Sequence, residues 1–263
     1  MSVLVFGASS GYGLSIVRNS LEAGKKVIAC SRKAKSAKTL YQLTAKYREQ
    51  IYISNVDVTK VKEIKRLYQQ VNGLCIKIDE IYFTVGHAQD TKNVYPLTAS
   101  SRNNYFSLLK VNSFSAFEVL RQGIQILKDP FCGIYVYLSS TAAISSNCGH
   151  GPYNTSKLLL NGLMVNYASE LYNKGINVKV VGLDPWEACT QMNRDSNISP
   201  EHLLPILEAI VMCKDWLRSG HIYTPDGNEV VFPGVELCGR NLFDLYENLY
   251  SRSLIYNRAD YII

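Results

Sequence analysis

The sequence lacks the patterns that mark a membrane protein, a metal site or a nucleic-acid-binding protein. No stretch of its 263 residues approaches the roughly 18 consecutive apolar residues that a membrane-spanning helix needs. The seven cysteines include no CxxC pair and lie near no histidine cluster, which favours free thiols and argues against a structural metal. The net charge of +6 is modest, and the basic residues form no stripe interleaved with aromatics. We therefore expect a soluble protein with no membrane, metal or nucleic-acid partner.

The amino-terminal stretch MSVLVFGASS also lacks the features of a secretory signal. It has no basic segment and no cleavage site before its first apolar run, which together with unpaired cysteines predicts a cytoplasmic location. Hydrophobic residues make up 47% of the chain and charged residues 19%, as is typical of a globular protein. A length of 263 residues is normal for one α/β unit. We expect a single domain over residues 1–263, with a short aromatic C-terminal extension at about 226–263.

A glycine-rich turn follows the first apolar run. Residues 3–6 read as a strand, and apolar residues at helical spacing begin at Leu14. Glycines between a strand and a helix allow unusual backbone angles and let a pyrophosphate approach the helix N-terminus, where free N–H groups favour an anion. The predicted contacts of this turn with a dinucleotide are Gly7, Ser9, Ser10, Gly11, Tyr12 and Gly13. The alternative is an ordinary strand-to-helix turn.

The end of the second strand, residues 26–30, carries cations and no acid. In a dinucleotide fold an acid here binds the ribose 2′-hydroxyl of NAD, whereas an arginine accommodates the 2′-phosphate of NADP. Ser31 and Arg32 begin this segment, and Lys33, Lys35 and Lys38 follow. The charges favour NADP(H) over NAD(H). The alternative is the solvated start of a helix.

Asp57 and Val58 follow the third strand, residues 51–55, at the end where ligands gather in such sheets. Asp57 or Thr59 could instead cap the next helix.

Strand and helix patterns alternate along the rest of the chain. Further strands are predicted at residues 81–85, 133–139, 177–183 and 221–224, and helices at 61–71, 103–127, from Pro152, at 199–217 and at 242–249. This alternation predicts an α/β fold, a doubly wound parallel sheet of the Rossmann type in a single domain. The helix after Pro152 is apolar nearly all round, so it either contacts a second subunit, as in a homodimer or homotetramer, or lies in a monomer's core.

Residues 138–157 supply a serine, a tyrosine and a lysine at spacings that catalysis can use. If a helix begins near Pro152, Tyr153 and Lys157 lie four residues apart on one face, and the ammonium would favour the phenolate and lower the tyrosine pKa. Ser140 could hold the substrate oxygen that receives the proton. With 18 tyrosines in the chain, the Tyr153–Lys157 spacing alone is weak evidence. Asn112, inside an apolar helical stretch, needs buried partners and invites a functional interpretation.

Taken in order, these residues resemble the classical short-chain dehydrogenase/reductase family over nearly the whole chain. The family's cofactor loop is matched by the three glycines, its adenine-side pair by Asp57 and Val58, and its catalytic tetrad by Asn112, Ser140, Tyr153 and Lys157. The resemblance implies that Tyr153 is the general acid/base and that Ser140 positions the carbonyl or hydroxyl. It implies that Lys157 binds the nicotinamide ribose and lowers the tyrosine pKa, and that Asn112 anchors a water in a proton relay. Further cofactor contacts are implied at Gly86, Pro185, Ala188 and Thr190, with Thr190 at the carboxamide.

Three segments depart from the family pattern. Phe6 replaces a threonine, residues 83–86 (FTVG) replace Asn-Asn-Ala-Gly, and Trp186 replaces the glycine of a Pro-Gly pair. Because of these replacements, the sequence does not identify the residues that stabilise the central strands or contact the cofactor's ribose. The shape of the substrate pocket is left open as well. His87, Tyr95 and Trp186 are candidate substrate contacts, or purely structural residues.

The sequence therefore predicts an NADPH-dependent reductase that passes hydride to a small ketone or aldehyde, with alcohol oxidation as the reverse reaction. The altered segments motivate an alternative, an NADP(H)-binding regulatory protein with weak or lost turnover. A sugar epimerase or dehydratase of the related extended fold is disfavoured, because the glycine spacing differs and the chain is short for a second substrate domain.

Overall fold

Seven parallel strands form a single twisted sheet in the order β3-β2-β1-β4-β5-β6-β7. A computed structural model describes residues 1–88, 99–127, 133–145, 149–190, 192–215, 217–232 and 243. The strands are β1 Ser2–Phe6, β2 Lys26–Ser31, β3 Ile51–Asn55, β4 Glu80–Phe83, β5 Gly133–Leu138, β6 Val178–Leu183 and β7 Ile222–Tyr223. The order reverses between β1 and β4, which creates the crevice where such sheets bind ligands. The predicted doubly wound Rossmann sheet is confirmed.

Helices cover both faces of the sheet. They are α1 Gly11–Glu22, α2 Lys38–Tyr47, α3 Val61–Gly73, α4 Arg102–Leu109, α5 Ser115–Leu127, α6 Gly151–Asn173 and α7 Leu204–Met212. Alternate residues along each strand face opposite ways, so Val3 and Val5 pack with α1 and α7 while Leu4 and Phe6 pack with α3, α5 and α6. All seven strands therefore end at one edge of the sheet.

Two predicted helices differ from the observed ones, and one observed helix was not predicted. The predicted helix 103–127 is interrupted by a five-residue π-helix, Lys110–Phe114, between α4 and α5. The predicted helix 199–217 is a 3-10 turn, Pro200–Leu203, followed by the shorter α7, because Ser199 caps the turn and Pro205 lies at the start of α7. Helix α2 was not predicted, because Leu40 is its one buried residue and leaves no apolar period. The predicted helix 242–249 and most of the C-terminal extension lie outside the described residues.

Over the described ranges, no helix has the length and apolar character needed to cross a bilayer. The same residues contain no group of three or more histidine, cysteine or acidic side chains that could hold a metal ion. Four cysteines, Cys30, Cys75, Cys189 and Cys213, are free thiols.

Candidate functional site

The glycine turn lies at the crevice of the sheet and packs against Thr84, which directly follows β4. Gly7 and Gly11 adopt the left-handed backbone conformation, with φ of 90° and 52°. A Cβ on Gly7 would lie 2.5 Å from the Thr84 hydroxyl oxygen, and one on Gly13 would meet the same hydroxyl and the Gly7 carbonyl. The turn therefore approaches the end of β4 more closely than any side chain would allow.

Thr84 is a functional residue that the sequence analysis missed. Its hydroxyl donates to the Phe6 carbonyl over 2.8 Å, and its backbone N–H donates to the same oxygen over 3.0 Å. These bonds join the ends of β1 and β4 directly under the glycine turn. Thr84 thus supplies the strand stabilisation that the altered FTVG segment left open.

We predict that Gly13→Ala lowers the free energy of unfolding by about 2 to 3 kcal/mol, because the added methyl group forces apart the start of α1 and the end of β4. Urea denaturation followed by circular dichroism measures the change. The matched control is Gly162→Ala in α6, where an added Cβ meets no atom within 4 Å, and it should leave stability unchanged or raise it. Equal stability of the Gly13 variant and the wild type would contradict this packing.

The residues expected to meet the adenosine ribose lie together after β2. Arg32 is exposed, and the hydroxyl of Ser31 is buried with no hydrogen-bond partner among the described residues. Asn55, at the end of β3, accepts a 2.9 Å hydrogen bond from the Lys35 backbone N–H and orders the cationic segment. Ser31 therefore holds an unused donor beside an exposed arginine.

Asp57 forms a turn of its own rather than capping α3. Its carboxylate accepts hydrogen bonds from the backbone N–H and the hydroxyl of Thr59, at 3.0 and 2.7 Å. Burial opposes its ionisation, but the Thr59 bonds with Lys60 and Arg32 outweigh that effect, so the pKa of Asp57 is lowered. The capping alternative is wrong, because Lys60 occupies the N-cap position without a side-chain bond. Val58 is buried beside it.

Ser140, Tyr153 and Lys157 converge at the ends of β5 and α6. Helix α6 begins at Gly151 with Pro152 in its first turn, as the missing proline N–H allows, and so presents Tyr153 and Lys157 on one face. The Lys157 Nζ lies 5.8 Å from the centre of the Tyr153 ring and donates to the Leu138 carbonyl over 2.9 Å. Ser140, two residues beyond the end of β5, lies close enough to Tyr153 for its side chain to lower the tyrosine pKa. The predicted grouping of serine, tyrosine and lysine is therefore present.

The tyrosine pKa differs from the expectation. Burial raises the pKa of Tyr153, the neighbouring Ser140 side chain partly offsets this rise, and the charge of Asp184 adds to it. Burial also lowers the pKa of Lys157 to about 8, an effect that Asp184 opposes. Tyr153 is therefore a protonated phenol at neutral pH, and the Lys157 beside it has a pKa of about 8, close to neutral pH.

Asn112 lies in the π-helix and is fully buried. Its amide accepts from the His87 backbone N–H at 2.7 Å and donates to the His87 carbonyl and the Ser156 hydroxyl, both at 2.8 Å. These bonds fasten the segment after β4 to α6. The buried asparagine thus finds the partners it needs, and its side chain positions the loop that begins at Gly86.

The segment after β6 is held by Tyr12 of α1 and by His202 of the 3-10 turn Pro200–Leu203. The Tyr12 hydroxyl donates to the carbonyls of Pro185 and Trp186, at 3.3 Å each, and His202 Nε2 lies 2.7 Å from the Pro185 carbonyl. Trp186 adopts φ of 54°, in the left-handed region that favours glycine, and it is 45% exposed. Ala188, two residues further along the chain, is buried.

Thr190 faces the glycine turn. Its methyl carbon lies 3.3 Å from the position that a Cβ on Gly11 would occupy. Met192, which the sequence analysis missed, reaches the same crevice, since its methyl carbon lies 3.4 Å and the Lys157 Nζ 4.0 Å from the Cβ position of Gly86. Of the candidate substrate contacts, His87 and Trp186 are exposed at this rim, and Tyr95 lies outside the described residues.

Comparison with known proteins agrees with this geometry. Residues 1–200 match the sequence profile of the family described as short chain dehydrogenase. The chain is 26% identical over 208 residues to benzil reductase ((S)-benzoin forming) of Saccharomyces cerevisiae, covering 77% of this chain and 78% of that protein. It is 24% identical over 185 residues to an NADP-dependent 3-hydroxy acid dehydrogenase of Shigella flexneri, covering 70% and 71%.

A carbonyl reductase from Pseudomonas aeruginosa PAO1, solved in complex with NADP, has a similar fold. The TM-score is 0.74 at 20% sequence identity, over 88% of this chain and 99% of that one. The family profile covers more than half of the chain, and the sheet order and the crevice agree with it. The chain therefore belongs to the short-chain dehydrogenase/reductase family of oxidoreductases.

Proposed function

We propose that this protein is an NADP(H)-dependent carbonyl reductase, which reduces a ketone or aldehyde to an alcohol or catalyses the reverse reaction. The observation that carries the proposal is the grouping of Ser140, Tyr153 and the buried Lys157, whose Nζ lies 5.8 Å from the centre of the tyrosine ring. These groups lie at the edge of the sheet where the glycine turn is placed to receive a dinucleotide. A proton donor and a cofactor crevice therefore share one site.

The chain's own residues account for the proton transfer. Ser140 orients the substrate oxygen against the Tyr153 hydroxyl, and the raised pKa of Tyr153 keeps that hydroxyl protonated until the oxygen gains charge. The Lys157 ammonium then stabilises the phenolate that is left. Asn112 fixes the loop after β4, and a water held beside it would return the proton from solvent. NADPH, when bound, supplies the hydride.

The residues present fit a cofactor with a 2′-phosphate. The glycine turn lies at the start of α1, where the free N–H groups of a helix N-terminus favour a pyrophosphate and Ser9 and Ser10 add hydroxyl donors. The buried Ser31 hydroxyl without a partner among the described residues and the exposed guanidinium of Arg32 are both donors suited to a phosphate. No acid follows β2 to accept from a free 2′-hydroxyl. This donor set supports NADP(H) over NAD(H).

Exposed apolar side chains border the site and support a substrate with apolar substituents. Ile144, close after Ser140, and Trp186 and Met192, after β6, are each between 41% and 54% exposed. Ile198 is similarly exposed, and its carbonyl accepts from the Cys189 backbone N–H at 2.7 Å, which places it beside the same segment. Water-exposed apolar groups around a polar centre favour a ligand that buries them. The benzil and carbonyl reductases among the similar proteins agree with this class.

We predict that Trp186→Gly raises the Michaelis constant for an aryl ketone about fivefold to tenfold while raising the free energy of unfolding by about 1 kcal/mol. Glycine adopts positive φ without the clash of a Cβ, and the ketone loses an aromatic contact. Steady-state kinetics and urea denaturation measure the two effects. Trp186→Phe, which keeps the ring and the backbone constraint, should change both values less. An unchanged Michaelis constant for Trp186→Gly would remove Trp186 from the substrate pocket.

The proposed function is tested by fluorescence titration with NADPH and NADH, followed by a panel of aryl and alkyl ketones and aldehydes in the same cuvette. We expect tight NADPH binding and carbonyl-dependent oxidation of the cofactor. Binding without turnover on any carbonyl would instead support the regulatory alternative. Failure to bind either nucleotide would overturn both functions.

We also propose that the protein is a homodimer or homotetramer. Phe106 of α4, Phe114 of the π-helix and Leu158 of α6 are each about half exposed, and α4, the π-helix and α6 pack side by side. Such apolar residues on adjoining helices favour burial against a second copy. Light scattering on the purified protein measures the mass of the assembly. The cytoplasmic location and the absence of nucleic-acid partners stay predictions.

A further inference from the structure

Asp184 is a buried acid on the wall of the proposed site with no role in the mechanism described so far. It directly follows β6, and its backbone N–H donates to the Tyr223 carbonyl of β7 over 2.8 Å. Its side chain is 2% exposed. One carboxylate oxygen accepts from the Trp186 backbone N–H at 3.2 Å, and the other is buried with no hydrogen-bond partner in the part of the chain that is described. A buried carboxylate that is only half satisfied is costly, so it calls for a compensating charge.

The pairing of β5 with β6 brings the Lys157 ammonium, a charge opposite to that of the carboxylate, near Asp184. Leu183, the residue before Asp184, is the register partner of Leu138, whose carbonyl accepts from the Lys157 Nζ at 2.9 Å. The Lys157 ammonium is therefore bound at the β5 residue that pairs with Leu183, the neighbour of Asp184 in the chain. Lys157 is itself only 4% exposed, and the Leu138 carbonyl is an uncharged partner.

We propose that Asp184 is the buried counter-charge that keeps Lys157 in its ammonium form, and so a positioning residue for the Tyr153–Lys157 pair. Asp184 and Lys157 act on each other through space, since each charge favours the charged form of the other. Burial alone pushes both groups toward their neutral forms. Two buried groups of opposite charge stabilise each other in this way at the pH of the cell.

Other titratable groups near Asp184 do not provide this charge. Tyr12 of α1 and Tyr153 of α6 both have raised pKa values, first because of burial and then because of Asp184, so both stay neutral phenols. Glu187 is an exposed acid that acts on Tyr12 with the same sign as Asp184. His202 contacts the Pro185 carbonyl through Nε2 and the Ser199 carbonyl through Nδ1. Lys157 is the cation that acts on Asp184 from the elements packed around it.

The pKa of Lys157 determines how the loss of Asp184 should change the dependence of turnover on pH. The pKa of Lys157 is about 8 with Asp184 present, so the ammonium form is half populated near pH 8, predominates well below it and is lost above it. Removing the carboxylate lowers this pKa further, by about one unit for charges in a partly screened interior. The loss of ammonium then begins near neutral pH. Turnover that depends on the ammonium should fall at a correspondingly lower pH.

The first test needs neither cofactor nor substrate. Lysine labelled with 13C at Cε is incorporated, the Lys157 resonance is assigned by its absence in Lys157→Arg, and its titration is followed by NMR. We expect a midpoint near 8 in the wild type and about one unit lower in Asp184→Asn, whereas Asp184→Glu should keep the wild-type midpoint. Asp215→Asn, which removes an exposed acid, controls for net charge. Equal midpoints in the wild type and Asp184→Asn would overturn the proposal.

A reciprocal measurement applies if Asp184→Asn does not fold. The Asp184 carboxyl carbon is then titrated in the wild type and in Lys157→Met, where loss of the ammonium should raise the aspartate midpoint by a similar amount. An unchanged aspartate midpoint would again overturn the coupling.

The kinetic test rests on the proposed function. In NADPH-dependent ketone reduction, kcat/KM of Asp184→Asn should be close to that of the wild type at pH 6 and roughly tenfold lower at pH 8.5. A decrease in kcat/KM that is equal at both pH values would show a merely structural role and contradict the proposal. If the NMR midpoint shifts but no carbonyl is reduced, the charge pairing stands and the reductase function fails.

Discussion

Replacing Tyr153 with phenylalanine should lower kcat for ketone reduction about a thousandfold while leaving the dissociation constant for NADPH within a factor of three. The substitution removes the Tyr153 hydroxyl, on whose pKa Ser140 acts, but keeps the ring beside Lys157. General acid catalysis is worth about 10² to 10⁴ in rate, and a water that replaces the phenol is poorly placed. Single-turnover kinetics with preloaded NADPH separates the chemical step from binding.

Tyr105→Phe is the matched control for this substitution. The Tyr105 hydroxyl of α4 forms a 2.7 Å hydrogen bond with the Thr155 hydroxyl of α6. Its removal should change kcat less than twofold. A Tyr153→Phe enzyme with half or more of the wild-type kcat would show that another group supplies the proton.

Replacing Arg32 with aspartate should reverse the cofactor preference. We expect the dissociation constant for NADPH to rise about a hundredfold, because a charge-assisted bond of about 1.5 to 3 kcal/mol is lost and a carboxylate then repels the 2′-phosphate. The constant for NADH should fall severalfold, because the new acid can accept from the ribose 2′-hydroxyl. Fluorescence titration with both nucleotides at one ionic strength measures the ratio.

The control for Arg32→Asp is Lys38→Asp, which makes a similar change of charge at the start of α2. If only the general field of the cationic segment matters, both variants will shift the preference alike. A preference for NADPH that survives in Arg32→Asp would refute the role assigned to Arg32 and to the missing acid.

The parts of this protein that the sequence predicts are those governed by local patterns. Apolar strands alternating with amphipathic helices are enough to predict the doubly wound sheet, and the strand-glycine-helix order locates the crevice. The spacing of Tyr153 and Lys157 on one helical turn brings them together because α6 begins where Pro152 predicts. Ser140 joins them because it comes two residues after a buried strand that the sequence pattern predicts.

Features that depend on contacts between distant segments were not predictable. The role of Thr84 requires the end of β4 to lie against β1, and the raised pKa of Tyr153 requires the depth of burial that only packing determines. In the sequence Asp184 is an ordinary polar residue after a strand, and its burial becomes apparent only in the folded structure. An Asp or Glu before a Pro-Trp or Pro-Gly pair at the end of the sixth strand is the pattern that could have identified it.

The π-helix Lys110–Phe114 fixes the length of the chain between the site and the outer end of α5. A π-turn contains one residue more than the α-helical turn it replaces, and one residue rotates a helix by about 100°. Deleting a single residue here would favour a continuous α-helix in which Asn112 no longer points at both His87 and Ser156. Substitutions in this segment are therefore better tolerated than any change in its residue count, and insertions or deletions in related chains should fall outside it.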